Sequence, residues 1–366
     1  MIIESLELKN FRNYESLEIS FDKGKNILYG DNAQGKTNIL EALYLCSTSK
    51  SHKGSKDRDI IRFGEEEAHI KLIIRKNDIP FRIDMHLKKS KTKGIAINGV
   101  PIKKSSELFG VNNIIFFSPE DLAIIKNGPS ERRKFIDMEL CQIDKFYLHN
   151  LLNYNKIINQ RNFLLKELNY KFDKSLYGTL DVWDMQMADY GNKIIKRREE
   201  FIKQINEIII HIHDKLSGGK EILNIKYEPN TDAESLEENI SKSREKDIKL
   251  KTTCVGPHRD DLGFYLKDMD IRKFGSQGQQ RTAALSLKLS EIEFVKKVIN
   301  DEPILLLDDV MSELDSNRQN YLLDSINDIQ TIITCTGLDE LIENRVNVNK
   351  IYKIVSGTAN LYRLEE

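Results

Sequence analysis

The chain is poor in residues that staple, kink or anchor a fold. Four of its 366 residues are cysteine (Cys46, Cys141, Cys254, Cys335), and none falls in a C-x-x-C pair. That scatter excludes a zinc-ribbon spacing and a disulfide framework. No apolar run approaches the roughly 20 residues that a membrane span needs. The first ten residues, "MIIESLELKN", carry charges where a signal peptide carries its apolar segment, so the expectation is a cytoplasmic protein with no membrane partner. An excess of one charge is missing too: 56 Lys and Arg stand against 57 Asp and Glu, a net charge of −1. Bulk electrostatics therefore carries no mark of a polyanionic partner. The length allows two or three domains and a core that needs no metal to hold it.

Charge is nevertheless unevenly placed. Between Lys50 and Lys104 there are 15 Lys/Arg against 7 Asp/Glu, a local excess of +8 that leaves the remainder near −9. The basic set Lys50, Lys53, Lys56, Arg58, Arg62 and the loop Lys88, Lys89, Lys91, Lys93 suit phosphate contacts that would position a nucleic acid without reading its bases. A solvated charged face is the alternative. Aromatic residues are not interleaved among these cations, so stacking of single strands is unsupported.

Apolar and polar residues alternate in "SLELK" and "LEISF", and "NILYG" adds a short apolar strand. Further strands are predicted at "HIKLIIRK", "PFRIDMHL" and "NIIFF", with a tight hairpin at Asn98-Gly99. From about Ser130 to Leu216 the periodicity is helical, with almost no proline or glycine, and "EPNTDAESLEENISKSREKDIKLK" reads as a surface helix. Strand signals return at "DLGFYL", "PILLLDD", "TIITCT" and "IYKIVSG", with a long amphipathic helix in "QRTAALSLKLSEIEFVKKVI". The predicted organisation is an α/β domain with mixed sheets, its halves at 1–128 and 251–366, interrupted by an all-helical insert at 129–250. Trp183 belongs to the core of that insert.

Gly30-Asp31-Asn32-Ala33-Gln34-Gly35-Lys36-Thr37 matches G-x-x-x-x-G-K-[ST] at every fixed position. It follows a predicted strand and opens a helix with Ile39, Leu40, Leu43 and Cys46 on one face, which is the context that such a loop needs. Its backbone N–H groups would wrap phosphates and Lys36 would neutralise β/γ oxygens, while the Thr37 hydroxyl takes one Mg²⁺ position. The apolar run Ile304 to Leu307 ends in Asp308 and Asp309. Asp308 is the expected second Mg²⁺ partner, and Asp309 stands where a water-polarising base would stand.

Three further stretches make the reading specific: "PEDLAIIKNGPSERRKFID" (Pro119 to Asp137), "LLDDVMSELDSNRQNYL" (Leu306 to Leu322) and "GPHRDDL" (Gly256 to Leu262). With "LKNFRNY" and the P-loop they resemble ABC-type ATPase heads of the SMC-like group, and within it the RecF family of bacterial recombination-repair proteins. The resemblance implies an ATP-dependent homodimer in which the signature motif of one protomer closes on ATP held by the P-loop of the other. It also implies binding to double-stranded and gapped DNA, a weak DNA-stimulated ATPase activity, and work with RecR and RecO to help load RecA. Arg12 resembles an arginine that reaches nucleotide in related heads; a surface arginine is the alternative.

Two segments compete for the signature. "LSGGK" (Leu216 to Lys220) has the more usual letters but follows a helix, whereas Ser276, Gln277, Gly278 and Gln279 lead into one and can offer free N–H groups to a γ-phosphate. The expected signature is therefore Ser276 to Gln280, and Leu216 to Lys220 is a helix stop. Expected catalytic residues are Lys36, Asp309 and Ser276. "FFSPEDL" has no glutamine where a Q-loop would fall, and "TIITCTGLDE" has no switch histidine, leaving Thr334 or Thr336. Slow, clock-like hydrolysis is predicted. His258 with Asp260 and Asp261 is expected to form a hydrogen-bonded loop rather than a metal site, and Arg132-Arg133 could face DNA, a head interface or solvent.

A transporter ATPase would not need the 240 positions between Lys36 and Ser276. A P-loop kinase or GTPase would leave the signature and "SELD" unexplained, and the insert is too short for the long coiled-coil arm of a structural SMC protein.

Overall fold

The computed structural model describes residues 1–170, 175–338 and 348–362. It divides into two units, Met1–Asp121 with Glu291–Glu366, and Leu122–Ser290. These divisions lie at 121 and 290, not at the expected 128 and 250.

In the first unit the alternating segments become β1 (Ile2–Phe11), β2 (Tyr14–Ser20), β4 (Glu67–Lys76), β5 (Ile79–Lys88), β6 (Lys91–Ile97) and β7 (Val100–Pro101). They form an antiparallel sheet in the order β2-β1-β4-β5-β6-β7. Its turns use the expected chemistry: Asn77 and Asp78 have φ of 50° and 61°, Asn98 and Gly99 of 52° and 79°, the left-handed pair of a tight hairpin turn. The second sheet runs β15-β14-β3-β13-β12-β8. Its strands are β3 (Lys25–Tyr29), β8 (Ile114–Phe117), β12 (Ile304–Asp308), β13 (Thr331–Cys335), β14 (Lys350–Val355) and β15 (Thr358–Tyr362). All pair in parallel except β14 with β15. Apolar runs such as Ile304–Leu307 are continuous because these strands are buried on both faces.

Helix α1 (Lys36–Thr48) contributes Ile39, Leu40, Ala42, Leu43, Leu45 and Cys46 to one core shared with residues of both sheets. Burying each such Leu or Ile contributes about 1.5–3 kcal/mol. The helix is covered on more than the single face expected, and Glu41 is buried with it. The unit also holds α2 (Asp57–Ile60) and α10 (Ser316–Ser325).

The second unit contains α3 (Leu122–Lys126), α4 (Pro129–Ile143), α5 (Lys145–Tyr170), α6 (Ser175–Ser217) and α7 (Leu236–Leu250). It is helical as expected through Ser217, but β9 (Leu223–Glu228) then pairs with β10 (Asp261–Leu266), which pairs with β11 (Met269–Asp270). Trp183 packs against the cluster of Leu164, Leu165, Leu168 and Leu180. Two arginines expected on no interior are fully buried. Arg161 donates to Asp184 at 2.6 Å and Asp247 at 2.7 Å, and Arg198 to Asp137 at 2.7 Å and Asp260 at 2.9 Å. Short α8 (Ile271–Phe274) leads into α9 (Gln277–Ile299), and the division between units falls within α9. No helix among the described residues is long and apolar enough to cross a membrane.

Candidate nucleotide site

The parallel sheet brings the C-terminal ends of β3, β12 and β13 together, where open α/β sheets place their ligands. β3 runs directly into the loop Gly30–Gly35, and α1 begins at Lys36. Gly30 has φ of 149°, and a Cβ there would lie 2.4 Å from the carbonyl oxygen of Ile354 in β14; Gly35, at φ 116°, would drive one within 2.7 Å of Asn13 and Tyr14. Both positions require glycine. The loop is braced from outside: Asn13 Nδ2 donates to the Gln34 carbonyl (2.8 Å), Tyr14 Oη to the Gly35 carbonyl (3.1 Å), and Ser356 N to Gln34 Oε1 (2.7 Å). Asn13 and Tyr14 close the "LKNFRNY" stretch, but that they brace this loop is visible only in the fold, and Ser356 lies in no motif.

Lys36 is 4% exposed, and its Nζ donates to the carbonyls of Gly30 (2.6 Å) and Asp31 (3.0 Å). The ammonium thus lies over the loop. Thr37 Oγ1 donates to Asp308 Oδ1 at 2.8 Å, which brings the two expected magnesium partners together across 271 positions of sequence. Thr334 Oγ1 donates to the same Asp308 oxygen at 2.8 Å and accepts from Asp309 N at 2.9 Å. Asp309 itself has φ of 52°, an uncommon conformation for a non-glycine residue and one that turns the chain sharply at the end of β12. Thr334 therefore positions both aspartates. Asp31, Asn32 and Ala33 complete the loop and are exposed.

Arg12 is not brought onto the loop. Its guanidinium donates to both oxygens of Glu41 at 2.7 Å, to Ser55 Oγ at 2.7 Å and to the Asp59 carbonyl at 2.8 Å. Burial pushes the Glu41 carboxyl up, but hydrogen bonds from Arg12 and Ser51 and the Arg12 and His52 charges outweigh it and hold it below its ordinary value. His52, which no sequence motif marks, stacks on Phe116 with ring centroids 4.2 Å apart, and burial pulls its pKa down to about 4.

In the second unit, Ser276 caps α9. Its Oγ accepts from Gln279 N at 3.2 Å while Gln279 Oε1 accepts from Ser276 N at 2.9 Å, a reciprocal capping box. The competing segment ends α6: Gly218 and Gly219 are left-handed (φ 68° and 75°), and their amides donate back to the carbonyls of Lys215 and Asp214. From Thr282 to Ile292 every residue of α9 is buried, so it is not the amphipathic helix expected. Thr282, Ser286 and Ser290 turn their hydroxyls back onto the carbonyls four residues earlier, which is how polar residues sit inside.

The "GPHRDDL" segment holds this end in place. Arg272 in α8 donates to Asp261 (3.1 Å), Glu228 (3.1 Å), Asp270 (2.8 Å) and the Leu262 carbonyl (2.7 Å). Asp260 takes Arg198, the Tyr227 hydroxyl and Asn230 N; His258 bonds Tyr154 Oη (2.9 Å) and the Thr253 carbonyl (3.0 Å), with burial lowering its pKa to about 4. Arg132 is turned inward onto Asp261 and the Asn127 carbonyl, and Arg133 donates to the Asp260 carbonyl.

Of the expected DNA contacts, Lys53, Lys56, Arg58, Lys89 and Lys91 are exposed. Lys88 and Lys89 pair with Glu67 (3.3 Å) and Glu66 (3.2 Å), while Lys93 is turned in onto Asp57 (2.8 Å) and the Ser49 carbonyl.

Residues 2–360 match a family profile described as the RecF/RecN/SMC N terminal domain. The chain is 65% identical over 357 residues to the DNA replication and repair protein RecF of Lachnospira eligens, covering 98% of each, and 64% identical over 358 residues to that of Lachnoclostridium phytofermentans, covering 98% of this chain and 99% of the relative. The chain belongs to the RecF family. A solved structure described as the recombination mediator protein RecF-ATPrS in the RecFOR pathway superposes with a TM-score of 0.91 at 36% identity, over 99% of this chain and 98% of that one. The Smc head domain of Pyrococcus furiosus, at 20% identity and a TM-score of 0.58 over 99% and 96%, shares the fold. The RecF-family architecture is thus the ABC-type ATPase head expected from the motifs.

Proposed function

We propose that this RecF-family chain is an ATP-gated DNA-binding protein of recombinational repair and replication-gap maintenance. ATP joins two copies on double-stranded or gapped DNA, hydrolysis is slow, and the dimer works with RecR and RecO to help load RecA. The observation that carries the reading is the convergence of Lys36, Thr37 and Asp308 behind a glycine-constrained loop, a phosphate site lacking only the second half that Ser276 and α9 supply.

Within the site, the loop amides and Lys36 bind the phosphates, Lys36 exchanging two carbonyl partners for phosphate oxygens. Thr37 and Asp308 present hard oxygen donors suited to magnesium, which when bound would neutralise phosphate charge. Asp309 would orient the attacking water. In the opposing copy the cap takes the Gln279 amide and leaves those of Gln277 and Gly278 for a γ-phosphate. Loss of that phosphate removes their anchor, and the dimer opens. Arg12, bound to Glu41 and the Ser55–Asp59 segment, would reach nucleotide only after giving up those partners. The shorter Asp309 and the missing switch histidine each remove or displace a transition-state contact, at about 3 kcal/mol apiece. A turnover above about ten per second would be incompatible with that design.

The test is sedimentation with saturating ATP and magnesium, with and without gapped DNA. The wild type should dimerise, and Lys36→Ala or Ser276→Arg alone should stay monomeric. Mixed, the two variants should regain partial association, because one composite site per pair remains intact. A wild type that stays monomeric with ATP and DNA overturns the proposal.

A further inference from the structure

We propose that Glu67, His69 and His86 form a binding site for a borderline divalent transition cation, with Zn²⁺ the natural probe. The three lie on neighbouring strands of the antiparallel sheet. His69 of β4 stands directly opposite His86 of β5, and Glu67, two residues before His69, shares its face because strand side chains alternate. Their candidate ligand atoms all lie within 4.8 Å of one another. Glu67 Oε2 is 2.9 Å from His86 Nε2 and Glu67 Oε1 is 3.8 Å from His69 Nε2, while the two imidazoles stack with centroids 4.0 Å apart at 24°.

Those separations bracket what a shared cation requires. Zinc holds imidazole nitrogen at about 2.0–2.1 Å and carboxylate oxygen at about 2.0–2.2 Å, so tetrahedral ligand atoms sit roughly 3.3–3.5 Å apart. Reaching that geometry requires the two rings to turn out of their stack so that both lone pairs aim at one point, on a backbone that the β4–β5 ladder fixes over ten paired positions. Two imidazoles and one carboxylate select zinc, copper or nickel over magnesium and calcium, which prefer all-oxygen shells. A fourth position is open to water, since Glu67 and His69 are about half exposed.

Binding has local costs. The Nε2 proton with which His86 bonds Glu67 must leave or move to Nδ1, because only a bare nitrogen ligates. Lys88, 3.3 Å from Glu67 Oε2, must swing away, and Lys9, paired opposite His69 on β1, adds a like charge. These costs point to micromolar rather than structural-zinc affinity. The site is independent of the nucleotide reading, because none of its residues belongs to the phosphate or signature machinery.

The test is calorimetry of the full chain, stripped with EDTA and titrated with ZnCl₂ at pH 7.5 without nucleotide, beside the absorption spectrum of the Co²⁺ form. One equivalent should bind with a micromolar Kd. His69→Gln and His86→Gln should each weaken it at least tenfold, with Glu67→Gln also weaker, while all three melt like the wild type in EDTA. Added Zn²⁺ should raise the Tm of the wild type alone. The Co²⁺ spectrum should lack thiolate charge transfer. Uptake that survives in the histidine variants, a thiolate band, or no binding up to about 100 μM Zn²⁺ would overturn the assignment.

Discussion

At the scale of single residues, Thr334 is the side chain that joins the two candidate aspartates of the site. Its hydroxyl donates to Asp308 and accepts from the Asp309 amide, so it ties the expected metal ligand to the expected base. Thr334→Val keeps the shape but leaves the Asp309 amide without its acceptor and Asp308 short of a donor. We expect a stability loss of about 1–3 kcal/mol in urea titration and a tenfold or greater fall in single-turnover ATP hydrolysis. Thr334→Ser should retain both. Unchanged turnover in the valine variant would show that Asp309 is held in place by other means. The sequence places this threonine among candidates for a missing histidine, but on a buried strand a β-branched residue needs no function to be there. The glycines, Lys36 and Asp308 were legible because each answers a backbone or charge requirement at fixed spacing. Asn13, Tyr14 and Gln34 lie in motif stretches, but the bonds by which they brace the loop were not legible, since these arise only when distant segments meet.

At the scale of elements, the start of α9 is the clearest case of local sequence settling structure. Ser276 to Gln279 are expected to lead straight into a helix, and in the structure they do, with both arms of a capping box formed. Ser276→Ala should cost about 1 kcal/mol of stability and raise the ATP concentration needed for dimerisation, whereas Ser276→Thr should restore the cap. An alanine variant that dimerises with wild-type ATP dependence would remove the cap from the signature's function. The body of the helix was misread because its serines and threonine look like a wet face until their hydroxyls are seen turned onto the backbone. Arg161 and Arg198 were hidden for the same reason. A charged residue in a helical sequence reads as solvent-facing, and only tertiary partners such as Asp247 and Asp260 reverse that. The β9–β10 pairing joins segments more than thirty residues apart, a distance over which periodicity is silent.

Across the whole molecule, titration and charge give two measurable behaviours. His52 and His258 have pKa values lowered from 6.5 to about 4 by burial. The unfolded chain therefore takes up these protons first. Their contribution to stability is complete above about pH 6.5, declines as the pH falls, and is gone below about pH 4. It amounts to on the order of 3 kcal/mol for each histidine. Denaturation midpoints measured across this range should fall with a slope approaching two protons, and His52→Phe should lower that slope by up to one. A slope unaffected by the substitution would mean that His52 titrates normally. For DNA, the exposed Lys53, Lys56 and Lys91 are better candidates than the internally paired Lys93. Reversing the three should flatten the dependence of log K on log salt by about 0.9 for each phosphate no longer neutralised, whereas Lys93→Glu should act through folding. An unchanged salt slope would place DNA elsewhere.

The hairpin β14–β15 gives the phosphate loop a late dependence. Gly30 lies against Ile354, and Gln34 is held by the Ser356 and Gly357 amides, so a motif completed at residue 37 is shaped by segments some 320 positions later. Asn13 and Tyr14 precede the loop in the chain, but during synthesis it emerges from the ribosome long before Ile354, Ser356 and Gly357 exist to complete its bracing.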